Sequence, residues 1–456
     1  MRKFKLFSKI SISAFAFSFV LISCGNAIQD SGQVDSNQTS QALQIAPQTN
    51  NIRVGMWNIA NYEEKGDKFS SERAKVLADV LYQNNLDLLT VIEPTYKNAT
   101  GFTELVKNLN HLAGSEKYEA IISLPSVSEQ PILKRVSLSE RYGFIYKKDR
   151  LRYETSPHQQ EPADFSTFNI TDSPYDKGGS QELNDTGNRN ILFFKEKADE
   201  KHFYTRRPGA IKWTDLVNNQ TFVTIAAHAS SPDARDSQGE TKFNCADLKQ
   251  FGIEHGTKCD SKLGSNEAWD ALKIPDVLKY FSEVFKEDDI FFMADTNIRF
   301  NNNFLFERAT KEGYKNIFPL DAAGEKLETA YDKDRGPAKF RTTLSSPDRL
   351  NAYANAYDKA FYKFQNYNVQ NPTRWDLWNL YYDVEDNGVT SNQKQKILAL
   401  SYPEYDHYTK AIMDEIYYQK AGARQPKNPP KSPVHTSLKE LISDHTMVHF
   451  ELQLKK

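Results

Sequence analysis

Hydrophobic and polar positions in this chain fall into short runs that end abruptly. From Asn51 the segment "NIRVGMWNIA" alternates like a strand and stops at Asn58. The spacing of Ala74, Leu77, Ala78 and Leu81 predicts a helix from about Ser70 to Tyr82, with Ser70 or Ser71 as its cap. "LDLLTVIEP" (86–94) is continuously apolar, as expected of a strand buried on both faces, and Pro94 stops it. Similar runs are "YGFIYK" (142–147), "GAIKW" (209–213), "TFVTIAAH" (221–228), "DIFFMAD" (289–295) and "KAFYKF" (359–364). A helical pattern lies between 265 and 286, carrying Trp269, Leu272, Val277, Leu278, Phe281 and Phe285. Near the C-terminus "TMVHFEL" (446–452) alternates again. Many strands interspersed with a few helices predict a layered α/β or α+β architecture. Two stretches read as insertions, about 235–264 and about 365–435, the latter rich in Tyr, Asn, Lys and Pro.

The first residues read as a targeting segment outside the fold. Arg2, Lys3, Lys5 and Lys9 precede the apolar "ISISAFAFSFVLIS" (10–23), which is short for a membrane span and runs directly into Cys24. "LISC" (21–24) resembles the lipobox of bacterial lipoproteins, which makes Cys24 the expected lipidation site; an ordinary signal peptide is the alternative. Residues 25–50 are rich in Gln, Asn and Ser and read as a flexible tether. An exported, membrane-held domain on the extracellular face is therefore expected, comprising residues 51–456. In that setting Cys245 and Cys259 are disulfide candidates, with two free thiols as the alternative.

The bulk charge changes little. A formal net charge of −2 over 456 residues neither requires nor excludes a polyanionic partner. Any nucleic acid would have to be drawn by a local basic surface. One such stretch is "KAGARQPKNPPKSPVHTSLK" (420–439), which holds Lys427 and Lys431 and no acid. It reads either as a solvated Pro-rich loop or as an arm that tracks phosphates.

Chemistry concentrates where the runs end. Asn58, Glu93, His228, Asp295 with Asn297, and Asp444 with His445 stand at strand ends, while Glu140 and Asp358 stand just before strands. Hard oxygen donors such as Glu93, Asp295, Asn58, Asn297 and Asp444 suit Mg²⁺ or Ca²⁺. Two histidines far apart in sequence can accept and donate protons, each oriented by a carboxylate. A cation with such a pair fits phosphodiester hydrolysis.

In order and wording these segments resemble the endonuclease/exonuclease/phosphatase superfamily, DNase I branch. "VGMWNIANY" resembles its first strand, "LLTVIEP" its metal-binding Glu segment and "ERYGFIY" its Glu-x-Tyr strand. "TRRPGAIKW", "IAAHASSPDA", "FFMADTN", "AYDKAFY" and the terminal "ISDH" follow in the family's order. The resemblance implies a four-layer α/β/β/α sandwich. It implies Glu93 as principal metal ligand with Asn58 and Asp444, and Mg²⁺ as cofactor, with Ca²⁺ or Mn²⁺ as further candidates. It pairs His228 with Glu140 and His445 with Asp358, places Asp295 and Asn297 at the scissile phosphate, and gives Arg206 a phosphate to hold. Ala294 and Thr296 replace the family's usual Gly and Phe. Ala60, Thr95 and Leu138 stand where that branch has DNA-contacting side chains. Together with the lipobox, the pattern resembles the membrane nuclease lipoproteins of wall-less bacteria. A surface nuclease acting on DNA, with RNA as a further candidate substrate, is the expectation. A sphingomyelinase-like phosphodiesterase and a non-catalytic surface-binding lipoprotein are the alternatives.

Overall fold

Two pairs of parallel strands organise the molecule. In the first sheet β1 (Ile52–Asn58) runs beside β2 (Leu88–Ile92), with Asn58 opposite Ile92. In the second, β8 (Gln220–His228) runs beside β9 (Ile290–Asp295), with His228 opposite Asp295. The computed structural model describes residues 50–60, 68–94, 100–126, 140–160, 187–197, 202–230, 241–254, 259, 263–318, 340–345, 352–380, 439 and 442–456. Cys24, the tether, Lys427 and Lys431 lie outside them.

Antiparallel strands flank each central pair. The first sheet has six strands in the order β12-β13-β1-β2-β4-β3, where β3 is Tyr118–Ile122, β4 Tyr142–Lys147, β12 Tyr367–Arg374 and β13 Val448–Leu454. The second has seven, ordered β10-β11-β9-β8-β7-β5 with β6 also on β7; here β5 is Leu151–Tyr153, β6 Leu192–Phe193, β7 Gly209–Asp215, β10 Lys315–Asn316 and β11 Asp358–Lys363.

Side-chain alternation sorts the core into three layers. Val54, Met56, Leu88 and Ile92 meet Phe222, Phe291 and Met293 between the sheets. Leu89 and Val91 turn the other way, onto Leu77, Leu81, Leu105 and Leu109 of helices α1 (Lys68–Asn84) and α2 (Thr100–Ala113). In the second sheet Val223, Ile225 and Phe292 turn onto Leu272, Val277 and Phe281 of α3 (Ser265–Leu272) and α4 (Ile274–Phe285). Helix, sheet, sheet and helix thus stack as four layers in a mixed α+β fold, as expected. Both faces of β2 are covered, which is why "LLTVI" carries no polar face.

Several sequence-derived boundaries change. Helix α1 begins at Lys68, so Ser70 and Ser71 lie within it and neither is the cap. The helical pattern of 265–286 is two helices that break at Lys273, because Pro275 sits in the first turn of α4, where its missing N–H costs nothing. The stretch taken as an insertion from 365 enters the sheet: Tyr367–Arg374 is the edge strand β12, and its largely exposed, polar face hid it. Within 235–264 a 3₁₀ turn over Cys245–Phe251 is capped by Asn244, and Leu248, Ile253 and Leu263 join the third core layer. Cys245 and Cys259 are disulfide-bonded, with a Cα–Cα distance of 5.7 Å.

Candidate active site

The ends of the two parallel pairs meet, and the polar residues that stop the apolar runs meet with them. Past Asn58 the chain turns: the Asn58 Oδ1 accepts from the Ala60 amide at 2.9 Å. The other half of that amide, Nδ2, donates to Glu93 Oε1 at 3.1 Å and to Asp295 Oδ2 at 3.0 Å. One asparagine thereby ties both strand pairs together. Ala60, Glu93 and Asn297 have φ of 47°, 56° and 53°, the left-handed region that non-glycine residues seldom adopt. Such backbone persists where the surroundings hold it, and here all three positions are strand exits at one site.

Two histidine–carboxylate pairs face each other across Asp295. His228 Nδ1 lies 2.6 Å from Glu140 Oε2, and His445 Nδ1 lies 2.7 Å from Asp358 Oδ2. The opposite ring nitrogens converge, with His445 Nε2 at 3.4 Å and His228 Nε2 at 3.8 Å from Asp295 Oδ2. Glu93 Oε1 is 3.3 Å from His228 Nδ1. Two clusters of possible metal-ligand atoms result, Glu93–Glu140–His228 and Asp295–Asp358–His445, each with its atoms within 4.8 Å of one another.

Burial sets the electrostatics. It opposes the charged ring at His445, but the Asp358 and Asp295 carboxylates outweigh it and hold the pKa well above the usual 6.5. At His228 burial and Arg206 oppose the charge, while Glu140 and Glu93 more than offset them, so this pKa is also raised. Burial would raise Glu140 and Asp295 too; Arg206 and His228 draw Glu140 down, and the two histidines draw Asp295 down. Burial prevails at Glu93 and Asp358, whose carboxyls are raised.

A pH dependence of stability follows. Glu140 and Asp295 stabilise the fold above their unfolded pKa values of 4.5 and 3.8, and this is lost as pH falls through their lower folded values. The histidines stabilise it fully below 6.5, and this is lost as pH rises through their higher folded values. Glu93 and Asp358, whose carboxyls are raised, act in the opposite sense to Glu140 and Asp295: their contribution is full below 4.5 and 3.8 and is lost as pH rises through their higher folded values. Melting temperature measured across pH should therefore fall as pH rises above about 6.5, and Asp358→Asn should flatten that fall. A flat profile from pH 6 to 9 would contradict these environments.

Four residues expected at this site have different surroundings from those expected. Arg206 is buried, and its Nε donates to the His228 carbonyl at 3.1 Å, Nη1 to Glu140 at 2.7 Å and Nη2 to the Ala229 carbonyl at 2.6 Å. Its fork holds protein groups. Asp444 stands outside both clusters, with its side chain 38% exposed and 3.4 Å from Lys439 Nζ. Asn58 presents its N–H groups, not its oxygen, to Glu93 and Asp295. Asn297 is buried, with Nδ2 on the Ala229 carbonyl at 3.2 Å and its backbone N–H on Asp295 Oδ1 at 3.1 Å; it shapes the loop.

Other residues at the site were not singled out from sequence. Ser443 Oγ donates to the Asn58 carbonyl at 2.7 Å and accepts from the His445 N–H at 2.9 Å, fixing the loop before β13. Trp57 Nε1 donates to the His445 carbonyl at 2.9 Å. Lys359, next to Asp358, is buried and donates to the Ile298 carbonyl at 2.8 Å and to Thr296 Oγ1 at 3.2 Å; burial pushes its pKa down to about 7. A serine one residue before "DH" and a lysine in a strand carry no such signal by themselves.

No family model matches the chain, and neither does any curated protein. Similar solved structures include an endonuclease/exonuclease/phosphatase from Bacteroides vulgatus, 12% identical, with 89% of this chain and 99% of the other covered and a TM-score of 0.39. The catalytic domain of human Nocturnin with bound sulfate is 10% identical, with 89% and 94% covered and a TM-score of 0.41. A mannosyl-6-phosphatase from Bacteroides thetaiotaomicron is 10% identical, with 88% and 99% covered and a TM-score of 0.41. Likenesses of this degree assign no activity to the chain.

Proposed function

We propose that this protein is a metal-assisted phosphodiester hydrolase that cleaves nucleic acid, DNA foremost, from a lipid anchor at Cys24 on the cell surface. The observation that carries the chemistry is the convergence of both Nε2 atoms on Asp295 while a carboxylate orients each Nδ1. Hydrolysis needs one group to take a proton from water and another to give one to the leaving oxygen. His228 and His445 supply these two proton movements. Glu140 and Asp358 fix the rings and stabilise their charged forms.

The donor chemistry also fits a hard cation. Glu93 and Asp295 offer carboxylate oxygens on either side of the Asn58 amide, 3.1 and 3.0 Å from its Nδ2. Mg²⁺ is the expected ion, with Ca²⁺ or Mn²⁺ as substitutes; when bound it would offset charge on the phosphoryl oxygens. The acid-free basic stretch 420–439 supports a polyanionic substrate, and "LISC" followed by a polar tether supports the anchor.

A lipid phosphodiesterase would need an apolar element beside the site. Among the described residues the exposed large apolar side chains are Leu216 and Val217. They occupy the turn before β8, at the end of that strand opposite His228.

The test is to incubate the protein with supercoiled plasmid, linear DNA and RNA, with Mg²⁺ and with chelator. Cleavage in Mg²⁺ that falls by at least about 10²-fold on chelation is expected. Glu93→Gln should raise the Mg²⁺ concentration giving half-maximal rate by about tenfold or more. Equal cleavage with and without chelator would reject the metal-assisted reading. A lipid label that stays on Cys24→Ser would reject the anchor.

A further inference from the structure

We infer that Asp270, on helix α3, is a positioning residue for His228. His228 is the last residue of β8 paired in the register with β9, and the Ala229 N–H still donates to the Asp295 carbonyl at 2.9 Å, so Ser230 is the first residue past the strand that needs another restraint. Asp270 supplies one: its Oδ2 accepts from the Ser230 backbone N–H at 3.1 Å and lies 3.3 Å from Ser230 Oγ. Ser230 Oγ is in turn 3.1 Å from Thr205 Oγ1. Ser230 follows His228 by two residues, and Thr205 immediately precedes Arg206.

From there the contacts close on the imidazole. Arg206 donates to the carbonyls of His228 and Ala229 and to Glu140, and Glu140 orients His228 Nδ1. The Asp270 carboxylate thus holds Ser230, whose hydroxyl ties the segment carrying the histidine to the one carrying its arginine. The helix presenting it is itself held. Tyr204 Oη donates to the Asp270 carbonyl at 2.8 Å, and Glu267 Oε1 accepts from the Gly264 N–H at 2.6 Å.

Asp270 is buried, and burial pushes its carboxyl up to about 7. What Ser230 requires is an acceptor oxygen in this place rather than a charge. Asn offers the same oxygen, whereas Leu fills a similar volume and offers none. A side chain that only holds the fold would matter whether or not an imidazole were present; one that aims His228 matters only while the imidazole is there.

The inference rests on the reading of His228 as a proton-transfer group, and the experiment separates the two. Asp270→Leu, Asp270→Asn and Ser230→Ala are compared on plasmid DNA in Mg²⁺, each alone and in a His228→Ala background. Asp270→Leu should lower kcat by about 10- to 100-fold with KM nearly unchanged, the scale of a misaimed catalytic group. Ser230→Ala should give a smaller loss of the same kind, and Asp270→Asn should stay within a few-fold of wild type. In the His228→Ala background Asp270→Leu should add no further loss, since coupled groups are non-additive. NMR of ¹⁵N-labelled histidine should show the His228 ring signals moved by Asp270→Leu and near wild type in Asp270→Asn, whether or not substrate is turned over.

An equal further loss in the His228→Ala background, or unmoved ring signals, would overturn the inference. If Asp270→Leu does not fold, wild-type kcat and unmoved ring signals in Ser230→Ala overturn it. Wild-type cleavage by His228→Ala alone would instead sink the reading of the site.

Discussion

Replacing His445 by Ala is expected to slow phosphodiester cleavage by about 10²–10⁴-fold while the chain stays folded. His228→Ala should fall in the same range. Both rings are buried, but neither is a core-packing residue: each has Nδ1 on a carboxylate and Nε2 toward Asp295. Loss of either removes one of the two proton movements, so the double variant should be little slower than the slower single one. Glu140→Gln and Asp358→Asn should lose less, because they aim the rings and stabilise their charge without exchanging protons with substrate. Rates on plasmid, read beside melting temperatures, distinguish lost chemistry from lost fold. Wild-type rates in both histidine variants would sink the mechanism.

The second large effect concerns stability. Arg206→Ala should destabilise the protein by about 3–5 kcal/mol, because it leaves the buried Glu140 without its guanidinium partner and with His228 alone. It also removes one donor each from the carbonyls of His228 and Ala229, the latter of which keeps Asn297 Nδ2. A phosphate-holding arginine behaves differently: its loss raises KM and leaves stability nearly untouched. Denaturant unfolding of Arg206→Ala beside its KM separates the two. An unchanged unfolding midpoint with a raised KM would restore Arg206 to a substrate-binding role.

How much of this was legible in the sequence differs by residue. Strands β2, β4, β8 and β9 were visible because both their faces are buried and their apolar runs are unbroken. Strand β12 was not, because an edge strand with a polar, exposed face looks like a loop. The two histidines and their carboxylates were legible as polar stops to apolar runs, in an order resembling a known family. Their pairing followed from the resemblance, and the distances agree with it. The partners of Arg206 were not legible because sequence shows that a guanidinium is present, not which oxygens it meets; Glu140 and two carbonyls accept from it. The direction of Asp444 was hidden for a similar reason. Neighbours along a chain exit on different sides, and while His445 turns inward to Asp358, Asp444 turns outward to Lys439. Ser443, Lys359 and Asp270 act through backbone groups brought close only by folding, which no local pattern records.

The central claim, a two-histidine phosphodiester hydrolase, is tested most directly by supercoiled plasmid incubated with the purified full chain in Mg²⁺. Wild-type protein, a chelated sample and the His228→Ala/His445→Ala double variant are compared in parallel. Nicked and then linear DNA should appear with the wild type alone. Intact plasmid in the wild-type reaction, or equal nicking by the double variant, would contradict it.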